Sequence, residues 1–74
     1  MRLIDLSLNT EAIVTQINVD KDLATRLYNM GFDVGNKVKI IRKAPLLDPI
    51  EIYTRGFYLA LRVKDAKNIN VELL

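Results

Sequence analysis

Ile50-Glu51-Ile52-Tyr53-Thr54-Arg55-Gly56-Phe57-Tyr58-Leu59-Ala60-Leu61 is the stretch on which the fold turns. Ile50, Ile52 and Thr54 alternate with Glu51 and Tyr53, which is the two-residue period of a strand with one face buried. Arg55-Gly56 then turns the chain. Phe57, Leu59 and Leu61 alternate with Tyr58, Ala60 and Arg62 on the way back. Two alternating runs joined by two residues specify a tight antiparallel hairpin.

Working outward toward the N-terminus, Ala44 to Pro49 is a loop closed by two prolines, with Leu46 and Leu47 inside it. Lys37 to Lys43 alternates again, with Val38 and Ile40 on one face and Lys37, Lys39 and Ile41 on the other. Phe32 to Asn36 reads as a turn. Asp20 to Met30 changes period, because Leu23, Leu27 and Met30 recur four and three residues apart, one helical stripe facing a core. Asp20 is placed to cap the free amides of the first turn, Asp22 favours the positive helix end, and Gly31 stands where a left-handed residue ends a helix. Glu11 to Asn18 is rich in β-branched residues and reads as a strand, with Ile17 out of phase and a bulge as one explanation. Leu3, Ile4, Leu6 and Leu8 form an irregular or extended lead-in across the core, and Asn9-Thr10 a turn.

Toward the C-terminus, Val63 to Asn68 holds about one helical turn around Ala66, and Ile69, Val71 and Leu73 close as a strand. The order is strand, helix, three strands, helical turn, strand. Five short strands in 74 residues leave too much open face for a flat sheet, so a small curled barrel with the helix between strands 1 and 2 is expected. Residues 1–74 form a single domain in this reading, and the chain shows no internal repeat or linker.

Composition removes several chemistries. The chain has no cysteine and no histidine, so disulfides, thiolate nucleophiles and imidazole catalysis are absent, and a zinc or ferrous site lacks its usual ligands. Asp20 and Asp22 make a poor hard-cation site and a good helix start. No phosphate-cradling loop is present, so no cofactor is expected. The apolar runs are too short to span a membrane, and Asp5 interrupts the N-terminus where a signal peptide needs apolar residues. A cytoplasmic location follows as the expectation.

Half the residues are hydrophobic, more than so small an interior holds, which points to apolar surface for a partner. Charge is uneven. Residues 1–36 carry three basic and five acidic groups, residues 37–67 carry eight and three, and the last seven hold only Glu72. Leu46 and Leu47 beside Pro45 either pack back on the core or meet a partner. Arg26, Arg42, Arg55 and Arg62 are either solvated charge or a rim for acidic groups of a partner.

Four motifs give this pattern a family resemblance. Arg26-Leu27-Tyr28-Asn29-Met30-Gly31-Phe32-Asp33-Val34-Gly35 resembles the R-L-x-x-[LM]-G-[LF]-x-x-G signature of FeoA, the small accessory protein of bacterial ferrous-iron uptake. Ala44 to Ile50 resembles its A-P-x-G-D-P-[ILV] loop. Gly56 to Arg62 is similar to G-x-x-[LI]-[AS]-[LI]-R, and Asp65-Ala66 with Ile69-Asn70-Val71 to E-A-x-x-I-x-V. The likeness runs from about Leu6 to Leu73. Two places depart from it: Asn9-Thr10 and Leu47 stand where the family often has glycine. Asn tolerates a left-handed turn, and Leu47 does not, so a different loop backbone is expected there.

The resemblance implies an SH3-like β-barrel and a non-enzymatic cytosolic adaptor that works with the membrane permease FeoB. On this reading Arg26, Arg42, Pro45, Leu46, Leu47, Arg55, Tyr58 and Arg62 form the partner-binding face, with no metal bound and no membrane insertion. The same domain type forms the C-terminal module of iron- and manganese-dependent repressors, which is the alternative. Nucleic-acid binding is a weaker one, drawing on the basic stretch and on Tyr53, Tyr58 and Phe57, the last better placed in the core. Homo-oligomers are plausible, because an open strand edge and surplus leucines invite them.

Overall fold

A computed structural model describes residues 1–74. The strands are β1 (Ala12–Ile17), β2 (Lys37–Lys43), β3 (Ile50–Thr54), β4 (Phe57–Leu61) and β5 (Ile69–Leu73). The helices are α1 (Lys21–Asn29) between β1 and β2, and the single turn α2 (Val63–Ala66) before β5. The strands form one antiparallel sheet in the order β4-β3-β2-β1-β5. The element order is the expected one. The hydrogen-bonded ring does not close, since β4 and β5 are its two ends and do not pair with each other.

Curling comes from local irregularities. β1 pairs with β2 through only Ala12↔Val38 and Ile13↔Lys37, the shortest ladder in the sheet. Of the alternatives open for the out-of-phase Ile17, a bulge fits the register shift between Val14 and Gln16 against β5. A second shift between Ile40 and Arg42 sets Arg42 opposite Glu51. Each inserts one unpaired residue and increases the local twist. The hairpin keeps unbroken register from Ile50↔Leu61 to Thr54↔Phe57.

Fourteen apolar residues make the buried cluster, among them Leu3, Leu6, Val14, Leu27, Phe32, Ile40, Ile52, Ile69 and Val71. Thr54 is the one buried polar residue, and its Oγ1 donates to the Lys37 carbonyl at 2.7 Å, so the end of β3 is tied to the start of β2. The lead-in packs on the core through Leu3 and Leu6, as expected, but it departs from an extended or irregular path in its 3₁₀ turn at Leu3–Asp5, and Leu8 is exposed.

α1 starts and stops where its caps demand. The Asp20 carboxylate accepts from the Leu23 amide at 3.0 Å. At the other end, Gly31 N–H donates to the Tyr28 carbonyl at 3.0 Å and Phe32 N–H to the Leu27 carbonyl at 2.9 Å. That crossed pair, with Gly31 at φ +95°, is a Schellman cap. It carries Phe32 into the cluster that also holds Leu27. Met30 departs from expectation. It is the cap residue rather than part of the stripe, and it is 48% exposed. The chain reverses at Gly31, so Phe32 takes the interior position that helical spacing assigns to Met30. Leu23 packs on the core only in part. Phe57, assigned to the core, is half-buried.

Candidate docking surface

The loop between β2 and β3 projects two leucines into solvent. Leu46 is 97% exposed and Leu47 is 64% exposed. Both have left-handed backbones, at φ +68° and +64°. The expectation that Leu47 would avoid this conformation is therefore wrong. Closure of the loop overrides the side chain's preference: Ala44 N–H donates to the Pro49 carbonyl at 3.0 Å, and Leu47 N–H to the Ala44 carbonyl at 2.7 Å. Asn9, by contrast, takes the left-handed turn expected of it, at φ +61°.

Two arginines flank this loop. Arg42 at the end of β2 faces Glu51 at 3.7 Å. Arg62, just before α2, lies 3.9 Å from Asp48, whose carboxylate also accepts from the Val63 amide at 3.1 Å. Asp48 thus fastens the loop to the start of α2. Both arginine side chains are about 70% exposed, so these pairs are weak and leave the guanidinium groups open to a partner.

The eight residues singled out in the sequence do not share one face. Arg42, Pro45, Leu46, Leu47 and Arg62 gather at the β2–β3 loop end. Arg55 lies in the β3–β4 turn, at the other end of β3. Its Nη1 lies 3.7 Å from where a Cβ on Gly31 would stand, over the last turn of α1. That position suits a cation beside the negative end of a helix. Arg26 is on α1, and neither Arg26 nor Arg55 has a carboxylate partner. Tyr58 is 63% exposed on the outer face of β4. Its ring packs against Tyr53 with centroids 5.0 Å apart and planes tilted by 58°. Lys39 Nζ stands 5.8 Å above the Tyr53 ring, a cation–π arrangement.

The sequence reading missed an apolar groove of about 360 Å³ beside α1, lined by Ile17, Ala24, Tyr28, Phe32 and Val34. Its rim residues Tyr28 and Val34 are exposed. Tyr28 lies off the helical stripe, and that was the available signal. No three His, Cys, Asp or Glu residues converge as a metal site, and no helix is long and apolar enough to cross a membrane.

A curled sheet of five antiparallel strands, with its helix in the first long connection and a leucine-tipped loop, defines a small SH3-like domain. The chain belongs to the FeoA domain family, whose model matches residues 1–73. It is similar to the FeoA protein of Chlorobium tepidum, with 36% identity over all of this chain and 70% of that one, at a TM-score of 0.96. It also resembles the zinc complex of Stenotrophomonas maltophilia FeoA, a prokaryotic SH3 domain protein, at 30% identity and a TM-score of 0.80, covering 97% of this chain and 89% of that one. A curated relative, the Fe(2+) transport protein A/Fe(2+) transporter FeoB fusion protein of Porphyromonas gingivalis, is 31% identical over the whole of this chain, which spans only 9% of its length. A manganese-dependent transcriptional repressor shares the fold alone, with 15% identity over all of this chain and 41% of that one, at a TM-score of 0.88.

Proposed function

We propose that this chain is a non-enzymatic cytosolic adaptor of ferrous-iron uptake that docks on the cytosolic regions of the permease FeoB. The contact is apolar, made by Leu46 and Leu47 on the loop that Pro45 opens, and edged by Arg42 and Arg62. Iron is the permease's cargo and is not held by this chain. Docking leaves the adaptor at the inner face of the plasma membrane without inserting into it.

The observation that carries this reading is a pair of leucines held outward on a strained turn. A non-glycine residue at positive φ costs about 1–2 kcal/mol, and side-chain burial does not offset it at Leu46, which is 97% exposed. Strain of this kind collects at contact sites. An exposed aliphatic anchor beside arginine is the composition of a binding hot spot. The fusion protein supports the choice of partner: a matching domain shares one chain with an Fe(2+) transporter, which gives the two parts a high effective concentration. The repressor likeness concerns the fold alone. The nucleic-acid reading draws on few stacking faces, since Tyr53 and Tyr58 already pack on each other.

Calorimetric titration of FeoB cytosolic domains into this protein tests the reading. Leu46→Asp puts a charge where the contact needs apolar surface, and it is expected to weaken binding at least about tenfold while leaving the fold intact. Equal affinity for Leu46→Asp, or no binding of the unaltered protein to active full-length permease at high micromolar concentration, counts against it.

A further inference from the structure

The two ends of the sheet are treated differently. The outer edge of β5 is covered by the chain's own start: Arg2 bridges to Asn70, Val71 N–H donates to the Met1 carbonyl at 2.7 Å, and the Met1 amino group donates to the Val71 carbonyl at 3.0 Å. The outer edge of β4 has no such cover. Edge strands are usually protected by charge, proline, a bulge or shortness. Phe57-Tyr58-Leu59-Ala60-Leu61 has no charged residue and no proline, and its register against β3 is unbroken.

The turn tells which groups face outward. Arg55 and Gly56 both have positive φ, +52° and +87°, as a two-residue type I′ hairpin turn requires. Thr54 and Phe57 then form the first hydrogen-bonded pair, and bonding to β3 alternates along the strand. Phe57, Leu59 and Leu61 bond inward, and Tyr58 and Ala60 aim N–H and C=O groups away from the sheet. No turn, loop or terminus bonds to the Tyr58 or Ala60 main chain.

We propose that the free edge of β4 is a strand-addition site for an extended segment of another protein that carries a carboxylate at each end. The flanking charges choose this occupant. Arg55 stands before the strand without a carboxylate partner, and Arg62 stands after it with only the loose contact to Asp48. A second copy is disfavoured. Setting Tyr58 opposite Ala60 of another β4 places Arg62 of each copy opposite Gly56 of the other, one residue from Arg55, so two positive charges gather at each end of the pair. An acidic-ended segment gains main-chain bonds at Tyr58 and Ala60 and a guanidinium at each end. This site shares Arg62 with the margin of the leucine loop, has its main-chain groups elsewhere, and does not depend on the identity of the permease as partner.

The test uses the full ¹⁵N-labelled chain and a blocked pentapeptide, Glu-Val-Thr-Val-Glu. Saturable amide shifts centred on Tyr58 and Ala60 are expected, with slowed hydrogen exchange at both. A Lys-Val-Thr-Val-Lys peptide is expected to bind at least about tenfold more weakly. Ala60→Pro removes one outward N–H and leaves the β3 ladder, so it should abolish the response. Should that variant fold poorly, N-methylation of the peptide at alternate residues gives the same readout on the unaltered protein. Silence at millimolar peptide, equal binding of the lysine peptide, a response centred elsewhere, or a concentration-dependent dimer protecting the same two amides overturns the proposal. Peptide binding here without permease binding would defeat the adaptor reading alone.

Discussion

Leu46 and Leu47 are where the cost of this loop is concentrated. Each side chain sits on a backbone that glycine adopts freely and leucine does not. Leu46→Gly removes the strain and, at 97% exposure, sacrifices no burial. It also adds some entropy to the unfolded chain. The net expectation is a gain of roughly 0–1 kcal/mol, read as an unchanged or higher urea midpoint, together with weaker binding to the permease domain. Stability and function therefore move in opposite directions at this residue. Two leucines in a proline-bounded loop stand out in the sequence, and the structure holds both in solvent. The sequence reading misjudged the backbone, because side-chain preference is local and loop closure depends on Ala44 meeting Pro49 across the turn. Asp5 supplies a second residue-scale test. Its carboxylate accepts a hydrogen bond from Arg2 at 2.9 Å. That bond is the largest influence and holds its pKa below the usual carboxylate range; desolvation opposes it, and the positive charges of Arg2, the N-terminus and Lys43 add to the lowering. A lowered folded-state pKa contributes stability above the unfolded carboxylate's pKa and loses it as pH falls through the folded value. A carbon-detected NMR titration should find Asp5 titrating below an ordinary aspartate, and Arg2→Gln should return it to the normal range.

At the scale of elements, α1 was readable because its ends are chemical. Asp20 satisfies the first turn, and Gly31 lets the chain reverse. The family motif around Arg26 to Gly35 has a physical core in that reversal: Leu27 and Phe32 are the buried pair that a Schellman cap brings to the same side. Periodicity assigned Met30 to the interior because it does not register where a helix stops. Gly31→Ala isolates the backbone contribution. The nearest atoms to an added Cβ, on Arg55 and Phe57, are at 3.7 Å, so no clash results. The expected loss is about 1–2 kcal/mol from φ alone, seen as a lower urea midpoint with an unchanged fold. The β-bulge near Ile17 was also legible, as a residue out of phase. The shift between Ile40 and Arg42 was not, because Ile41 fits an alternating strand equally well until its partner strand is known.

Over the whole molecule, the order of elements along the chain could be argued from the sequence, and the order of strands in the sheet and its closure could not. Whether β4 meets β5 depends on how the sheet continues across the two-pair ladder between β1 and β2, which no local pattern encodes. Scattered site residues have the same origin. Arginines close in composition are separated by the length of β3, so Arg42 and Arg62 border the leucine loop while Arg55 sits by the end of α1. Residues 37–67 hold eight basic and three acidic groups, and this stretch supplies both the leucine loop and the β4 edge, so on the proposed reading a positive field favours acidic partners at both. The central claim is that this protein acts by contact through the β2–β3 loop. It is tested most directly by chemical-shift mapping of the labelled protein as the permease's cytosolic domain is added. Saturable changes should centre on residues 44–48, with Arg42 and Arg62 at their margin. Saturation with that loop unmoved and the changes confined to another surface would contradict it.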